Sequence, residues 1–166
     1  MRRLYLVRHG KAGDRHRFDG DDRDRPLTTN GLRQAELLAE LLAESGAPDR
    51  ILSSPAERCR QTVAPLAKQA GRDVELEEWL DEGSDALEAL ALLTELEEAV
   101  VAACTHGDVI WGVLDWLARG GVDLGARPDA SKASTWALDW PDSPAEGVPI
   151  RASYLPPPVP PRGGIT

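Results

Sequence analysis

Two short apolar runs, each followed by a histidine and a glycine, constrain the fold of this chain more than any other feature. The first is Leu4-Tyr5-Leu6-Val7, which leads into Arg8-His9-Gly10, and the second is 99–105, which leads into His106-Gly107. Continuous apolar runs are typical of strands that are covered on both faces, as in parallel sheets flanked by helices. A histidine at the carboxyl end of such a strand can be structural, but that edge is where open α/β sheets bind ligands.

The remaining sequence alternates between helix and strand patterns. Helices are expected over about 30–45, 54–70, 85–97 and 108–119, and further strands over 50–53, 73–77, 133–140 and 150–155. The last two strands are separated by turn residues and should pair antiparallel. We therefore predict a single-domain α/β fold over residues 1–155, with a mostly parallel central sheet, helices on both faces and an antiparallel C-terminal strand. Residues 156–166 are proline-rich and are expected to form an extended tail.

The second helix carries an arginine where a cation is unfavourable. Ser54-Pro55-Ala56-Glu57 predicts the helix start, with Ser54 as the cap, Pro55 at the first helical position and Glu57 completing a capping box. Arg58 then lies in the first turn, where the helix dipole disfavours a positive charge. An anion bound between the helix end and the guanidinium would explain it. The alternative is a surface arginine that pairs with a neighbouring carboxylate.

Charge and cysteine content limit the partners. A net charge of −9 over 166 residues argues against nucleic acid and against an anionic membrane surface. Cys59 and Cys104 form neither a disulfide framework nor a metal cluster, and are expected to be buried thiols. The apolar run after Met1-Arg2-Arg3 is too short for a signal peptide or a membrane span, so we expect a cytoplasmic protein.

The segment 11–25 is crowded with Asp, Arg and Gly and has no apolar period, so it is expected to be a loop. It can be a solvated loop with mixed charges. It can also be a flap over the pocket that brings Lys11, Arg15, His16 or Arg17 to the substrate.

Several strand-to-helix junctions of this pattern carry groups that suit an anion. Arg8, His9, Arg58 and His106 should meet at one edge of the sheet. Two arginines provide bidentate clamps for a phosphate or carboxylate, and a neutral histidine is a competent nucleophile toward phosphorus. No cluster of cysteines or carboxylates suggests a metal site.

Residues 4 to about 110 resemble the histidine phosphatase superfamily, the phosphoglycerate mutase-like enzymes with the RHG motif. The matching pieces, in the family order, are Leu6-Val7-Arg8-His9-Gly10, Arg25-Pro26-Leu27-Thr28-Thr29-Asn30-Gly31, Ser53-Ser54-Pro55 with Arg58, Gln61 and Thr62, and Thr105-His106-Gly107-Asp108. The resemblance implies a phosphoglycerate mutase-like fold and a phosphatase activity that passes through a phosphohistidine.

The resemblance also implies roles for individual residues. His9 corresponds to the nucleophile that becomes phosphorylated and is then hydrolysed by water. Arg8, Arg58 and His106, with Gly107 beside them, correspond to the phosphate pocket, and Lys11 and Arg15 are candidate substrate contacts. The implied ligand is a phosphorylated substrate, with inorganic phosphate or a similar anion in the pocket. No metal or cofactor is needed in this scheme.

Many members of the family carry an acid between the second arginine and the second histidine that protonates the leaving group. Glu82 is the expected proton donor here, with Asp81 and Glu78 as alternatives. Phosphohistidine and acyl phosphate leave more easily than an alkoxide, and the SixA-like members lack the usual acid. Glu82 can therefore also be a simple solvated turn carboxylate.

Three functions remain open within this resemblance. The short, acidic link between Arg58 and His106 argues against a mutase, and the compact size with Arg25-Pro26-Leu27-Thr28 resembles the SixA phosphohistidine phosphatases. The first expectation is therefore a protein phosphohistidine phosphatase. The second is a phosphatase of a small phosphorylated metabolite or nucleotide, and the third is a module that binds phosphate or phosphoprotein with little catalysis. The segment Lys11-Ala12-Gly13-Asp14 departs from the mutase pattern, which leaves the substrate contacts of this loop undefined.

Overall fold

The computed structural model describes residues 1–159 and shows a six-stranded mixed sheet between two pairs of helices. In chain order, its elements are β1 Arg2–Arg8, α1 Thr29–Ala43, β2 Arg50–Ser53, α2 Glu57–Ala70, β3 Val74–Leu76, α3 Ala86–Thr94, β4 Val100–Thr105, α4 Gly107–Arg119, β5 Thr135–Trp140 and β6 Arg151–Leu155. The strand order is β3-β2-β4-β1-β5-β6. The four strands from β3 to β1 are parallel, and β5 is antiparallel to both of its neighbours. The predicted α/β fold class is confirmed.

Side chains of β1 alternate between two apolar layers. Tyr5 and Val7 pack with α1 and α2 on one face, whereas Leu4 and Leu6 pack with α3 and α4 on the other. Successive side chains of a strand point to opposite faces, so burial on both sides requires an uninterrupted apolar run. The prediction of helices on both faces is confirmed, and the run 99–105 forms the central strand β4.

The register of the parallel strands aligns the junctions that carry the polar residues. Arg8 at the end of β1 pairs with Thr105 at the end of β4, and Ser53 at the end of β2 pairs with Cys104. The N–H of His9 donates to the carbonyl of Thr105 at 3.2 Å. The chain therefore leaves β1, β2 and β4 at neighbouring points of one sheet edge.

Two predicted helix starts are wrong. Helix α2 begins at Glu57, and Ala56 occupies its cap position without a side-chain hydrogen bond, so Ser54 is not the cap. The hydroxyl of Ser54 is instead bonded to His106. Helix α3, predicted to begin at residue 85, begins at Ala86, and Asp85 is its cap, because the Asp85 carboxylate accepts from two N–H groups of the first turn.

The remaining predictions concern the cysteines, membrane-spanning helices and the C-terminal tail. Both cysteines are buried free thiols, as predicted. Within residues 1–159, no helix is long and apolar enough to cross a membrane. Residues 156–159 follow β6 without regular secondary structure, and the rest of the predicted tail, 160–166, lies outside the described residues.

Candidate active site

His9 is buried at the exit of β1, and its ring tautomer is fixed by the backbone. Its side chain is 6% exposed, and Nδ1 lies 2.8 Å from the carbonyl oxygen of Gly10. A carbonyl only accepts, so Nδ1 carries the proton and Nε2 carries the lone pair. Burial is the main cause that lowers the pKa of His9, to about 3, and the hydrogen bond to Gly10 opposes it. Electrostatic repulsion from His106, Arg58 and Arg8 lowers the pKa further. His9 is therefore neutral at physiological pH.

The loop that follows His9 is held by close backbone packing. The N–H of Gly10 donates to Thr62 Oγ1 at 2.9 Å, and the carbonyl of Lys11 accepts from the N–H of Thr28 at 2.9 Å. A Cβ at Gly31 would lie 2.0 Å from that same carbonyl oxygen, so only glycine fits there. The start of α1 thus fixes the path of the chain immediately after His9.

Arg58 is a buried arginine in the first turn of α2, with 2% of its surface exposed. Its Nη1 donates to the carbonyl of Asp22 at 2.8 Å, and its Nη2 lies 3.2 Å from the Asp22 carboxylate and 3.6 Å from that of Glu82. The same Nη2 lies 3.4 Å from Nδ1 of His106. Arg58 is therefore not a surface residue, although it does pair with a neighbouring carboxylate, that of Asp22.

A chain of hydrogen bonds runs outward from His106, which is 2% exposed and precedes α4. If Nδ1 accepts from Arg58, the proton is on Nε2, which lies 2.9 Å from Ser54 Oγ. Ser54 in turn donates to the carboxylate of Asp81 at 3.2 Å. Asp81 also binds Arg23. Ser54 therefore connects the imidazole of His106 to a carboxylate.

The guanidinium of Arg8 lies against the start of α4. Its Nη1 donates to the carbonyl of Ala130 at 2.7 Å, and a Cβ at Gly107 would lie 2.9 Å from its Cζ. Glycine at the first residue of α4 thus allows the approach. No side chain caps α4, so the positive end of this helix is open to an anion next to Arg8.

These groups surround a cleft of about 420 Å³. Its lining consists of Arg8, His9, Ala12, Gly13, Asp14, Arg15, His16, Arg25, Glu82, His106, Gly107 and Lys132. The rings of His9 and His106 meet edge to face, with centroids 5.4 Å apart. The volume is within the range of small-molecule sites. Nine of the twelve lining residues are ionisable, which suits a charged ligand.

The loop 11–25 is fastened to the opposite wall of the cleft. Arg15 Nη2 lies 2.7 Å from Glu82, and Arg23 Nη2 lies 2.8 Å from Glu78 and is also bonded to Asp81. Arg25, which is 5% exposed, holds the loop from inside through the carbonyl of Gly13 at 2.6 Å. This geometry favours the flap over a freely solvated loop.

Two of the candidate loop residues lie away from the cleft. The side chain of Lys11 is exposed and does not line the cleft. Arg17 is 89% exposed and lies 3.7 Å from Asp14. Arg15 and His16, by contrast, are part of the lining.

Comparison with known proteins concerns the family and the fold of this chain. Residues 4–85 match the sequence model of the histidine phosphatase superfamily (branch 1). The fold is similar to that of a solved structure described as the phosphohistidine phosphatase SixA from Agrobacterium tumefaciens, with a TM-score of 0.74 and 26% identity, covering 95% of this chain and 98% of that one. The chain belongs to the histidine phosphatase superfamily.

Two further proteins are similar to this chain, one in fold and one in sequence. A SixA protein histidine phosphatase complexed with tungstate shares the fold, with a TM-score of 0.70, 21% identity and coverage of 92% of this chain and 94% of that one. An 8-oxo-(d)GTP phosphatase of Mycolicibacterium smegmatis is 36% identical over 163 residues, which is 93% of this chain. The chain spans 48% of the length of that relative.

Local sequence patterns do not indicate four residues of this site. The Ser54 segment predicts a helix cap, and Asp22 and Arg25 fall only within the predicted loop and motif. Lys132 had no sequence signal, because it lies in the loop before β5 and reaches the site only through the pairing of β5 with β1. In this loop the N–H of Ala133 donates to the carbonyl of His9 at 3.0 Å.

Among residues 1–159, no three or more His, Cys, Asp or Glu side chains are grouped so that they could hold a metal ion.

Proposed function

We propose that this protein is a phosphatase that transfers a phosphoryl group from its substrate to Nε2 of His9 and then to water. The observation that carries this proposal is the state of His9, whose Nδ1 is fixed by the Gly10 carbonyl and whose pKa is lowered to about 3. A neutral imidazole with its lone pair on Nε2 is ready to attack phosphorus without a general base.

In the first step, the Nε2 lone pair forms a bond to phosphorus, and the bond from phosphorus to the leaving oxygen or nitrogen breaks. Arg8, Arg58 and His106, with the open start of α4, lie around His9 and would hold the equatorial oxygens on which charge is spread. In the second step, water attacks phosphorus, the Nε2–phosphorus bond breaks and phosphate leaves. The water loses a proton to solvent, and the electron pair of the broken bond returns to Nε2, which restores His9 as the neutral imidazole.

Glu82 is our proposed proton donor for poor leaving groups. It is the glutamate that lines the cleft, and its side chain is 41% exposed. Asp81 is less suited: although burial opposes the shift, hydrogen bonds from the Glu82 N–H and Arg23 lower its pKa, so this carboxyl stays ionised. A leaving group that departs as a stable anion or as imidazole needs no acid from either residue.

The substrate class that the site favours is a small phosphorylated molecule such as a nucleotide. The cleft is bounded by a flap that is tied by ion pairs to the 78–82 wall, which suits a compact substrate better than the surface of a protein. The 36% identity to an 8-oxo-(d)GTP phosphatase over 93% of this chain supports the same class.

A protein phosphohistidine is the second candidate substrate. The similarity to the Agrobacterium SixA structure covers 98% of that chain and supports it. An opening of the flap would be required for a folded phosphoprotein to reach His9.

Hydrolysis of p-nitrophenyl phosphate by the wild type and by His9→Ala tests the phosphatase proposal. We expect turnover by the wild type and a loss of at least about 1,000-fold in the variant, because the nucleophile is removed. Retention of full turnover by His9→Ala would refute it. Ranking kcat/KM for nucleoside phosphates against a phosphohistidine protein then decides between the two substrate classes.

A further inference from the structure

Lys132 is a cation of the cleft that the proposed phosphoryl chemistry does not use. It precedes Ala133, whose backbone has the unusual φ of 66° and whose N–H is held by the carbonyls of Arg8 and His9 at 3.1 and 3.0 Å. These contacts fix the Lys132 backbone beside the two residues that would meet the phosphoryl group. Its side chain lines the cleft on the side of β5.

Lys132 lies among like charges and is not balanced by a carboxylate. Lys132 is an exposed residue, but partial loss of hydration at the cleft lowers its pKa, and the positive charges of Arg8, Arg25, Lys11 and Arg15 lower it further. Among residues 1–159, no carboxylate is within ion-pair distance of its Nζ, in contrast to Arg15 and Arg25, which contact Asp22 at 3.6 and 2.9 Å. A protein with a net charge of −9 thus concentrates cations at this one place.

The cations divide into two groups by their partners. Arg8 and Arg58 lie with His9 and His106, where the transferred phosphoryl group would be bound. Arg25 and Lys132 line the same cleft but contact neither histidine, and Arg25 is held rigid by Gly13 and Asp22. A single phosphate needs only the first group. The second group fits another anion of the same substrate.

We propose that Lys132 and Arg25 form a second anion subsite, and that the substrate is therefore a diphosphate whose terminal phosphoryl group is transferred to His9. This inference rests on the proposed function and adds the substrate class to it. The bond from phosphorus to the bridging oxygen breaks, and the leaving phosphate takes the electron pair while it is held by the two cations. Charge that develops on the leaving oxygens is stabilised in place, so the reaction needs no proton from Glu82.

Equilibrium binding of inorganic phosphate and of pyrophosphate to the His9→Ala protein, measured by calorimetry, tests the subsite without turnover. We expect pyrophosphate to bind about 10-fold or more tightly than phosphate, as an added charge-assisted contact provides. Adding Lys132→Met should remove most of this preference, lowering the affinity for pyrophosphate about 10-fold and that for phosphate far less. Lys68→Met, on the exposed side of α2, is the matched control and should preserve the preference.

Three results would overturn the subsite. The first is equal affinity for phosphate and pyrophosphate, and the second is an equal loss of affinity for both anions in Lys132→Met. The third is a gain in affinity for phosphoglycolate over phosphate as large as the gain for pyrophosphate, which would assign the subsite to a carboxylate. The same experiments distinguish failure of the phosphatase proposal from failure of the subsite proposal. Absence of p-nitrophenyl phosphate turnover with an intact pyrophosphate preference would refute catalysis and leave the subsite standing, and the reverse result would refute the subsite alone.

Discussion

Lowering the pH from 7 to 4 should leave the imidazole of His9 unprotonated in the folded protein. Its pKa is lowered to about 3, first by burial and then by the nearby His106, Arg58 and Arg8. Relative to an ordinary histidine with a pKa of about 6.5, this shift opposes protonation by about 5 kcal/mol. At pH 5 an ordinary histidine is about 97% charged, whereas His9 would be about 1% charged.

The assay is the ¹⁵N chemical shift of the imidazole nitrogens as a function of pH. The chain has three histidines, so spectra of His9→Gln and His16→Gln assign the three ring systems. We expect the His9 ring to keep the shifts of a neutral Nδ1–H tautomer down to about pH 4. An apparent pKa near 6.5, or an Nε2–H tautomer, would refute the reasoning that makes His9 a ready nucleophile.

The lowered pKa of His9 also predicts the direction in which the free energy of unfolding changes with pH. Between pH 6.5 and 3 the unfolded chain binds a proton at His9 and the folded protein does not, so the free energy of unfolding falls as the pH falls through this window. Well above pH 6.5 both states are neutral and His9 contributes no pH dependence. The free energy of unfolding, measured by urea titration, should therefore decrease between pH 7 and pH 4.5 in the wild type. In His9→Gln this decrease should be about 2–3 kcal/mol smaller. Equal losses in the two proteins would contradict the depressed pKa.

Four further substitutions test other parts of the site. Ser54→Ala should lower kcat about 10- to 100-fold with little change in circular dichroism, because the Nε2 proton of His106 loses its acceptor. An unchanged kcat would show that Ser54 does not position His106. Glu82→Gln should slow alkyl phosphate hydrolysis more than aryl phosphate hydrolysis, whereas Asp81→Asn should slow both alike, as steady-state kinetics can show. Gly31→Ala should reduce the free energy of unfolding by at least about 2 kcal/mol in urea titrations, because its Cβ would lie 2.0 Å from the Lys11 carbonyl oxygen.

The sheet edge with its polar groups could be predicted because each step depends on local pattern. Apolar runs without alternation specify doubly covered strands, and parallel strands carry their following residues to one edge. Arg8, His9, Arg58 and His106 follow from that rule and lie around the cleft or directly behind it. The buried position of Arg58 agrees with the dipole argument, since a cation in a first turn requires a specific partner.

Residues whose position depends on tertiary contacts could not be predicted. The Ser54 segment has every local feature of a helix cap, but its hydroxyl is bonded to His106, 52 residues away, and the helix starts later. Lys132 reaches the cleft because β5 returns antiparallel beside β1, which no local pattern around Lys132 indicates. The flap likewise depends on ion pairs between 11–25 and 78–82, two segments that are far apart in the chain.

The most direct test of the central claim is mass spectrometry of the protein quenched in alkali during turnover of p-nitrophenyl phosphate. The wild type should carry one phosphoryl group on His9, His16→Ala should carry it as well, and His9→Ala should carry none. Turnover by the wild type without an adduct, or an adduct on another residue, would contradict phosphoryl transfer through His9.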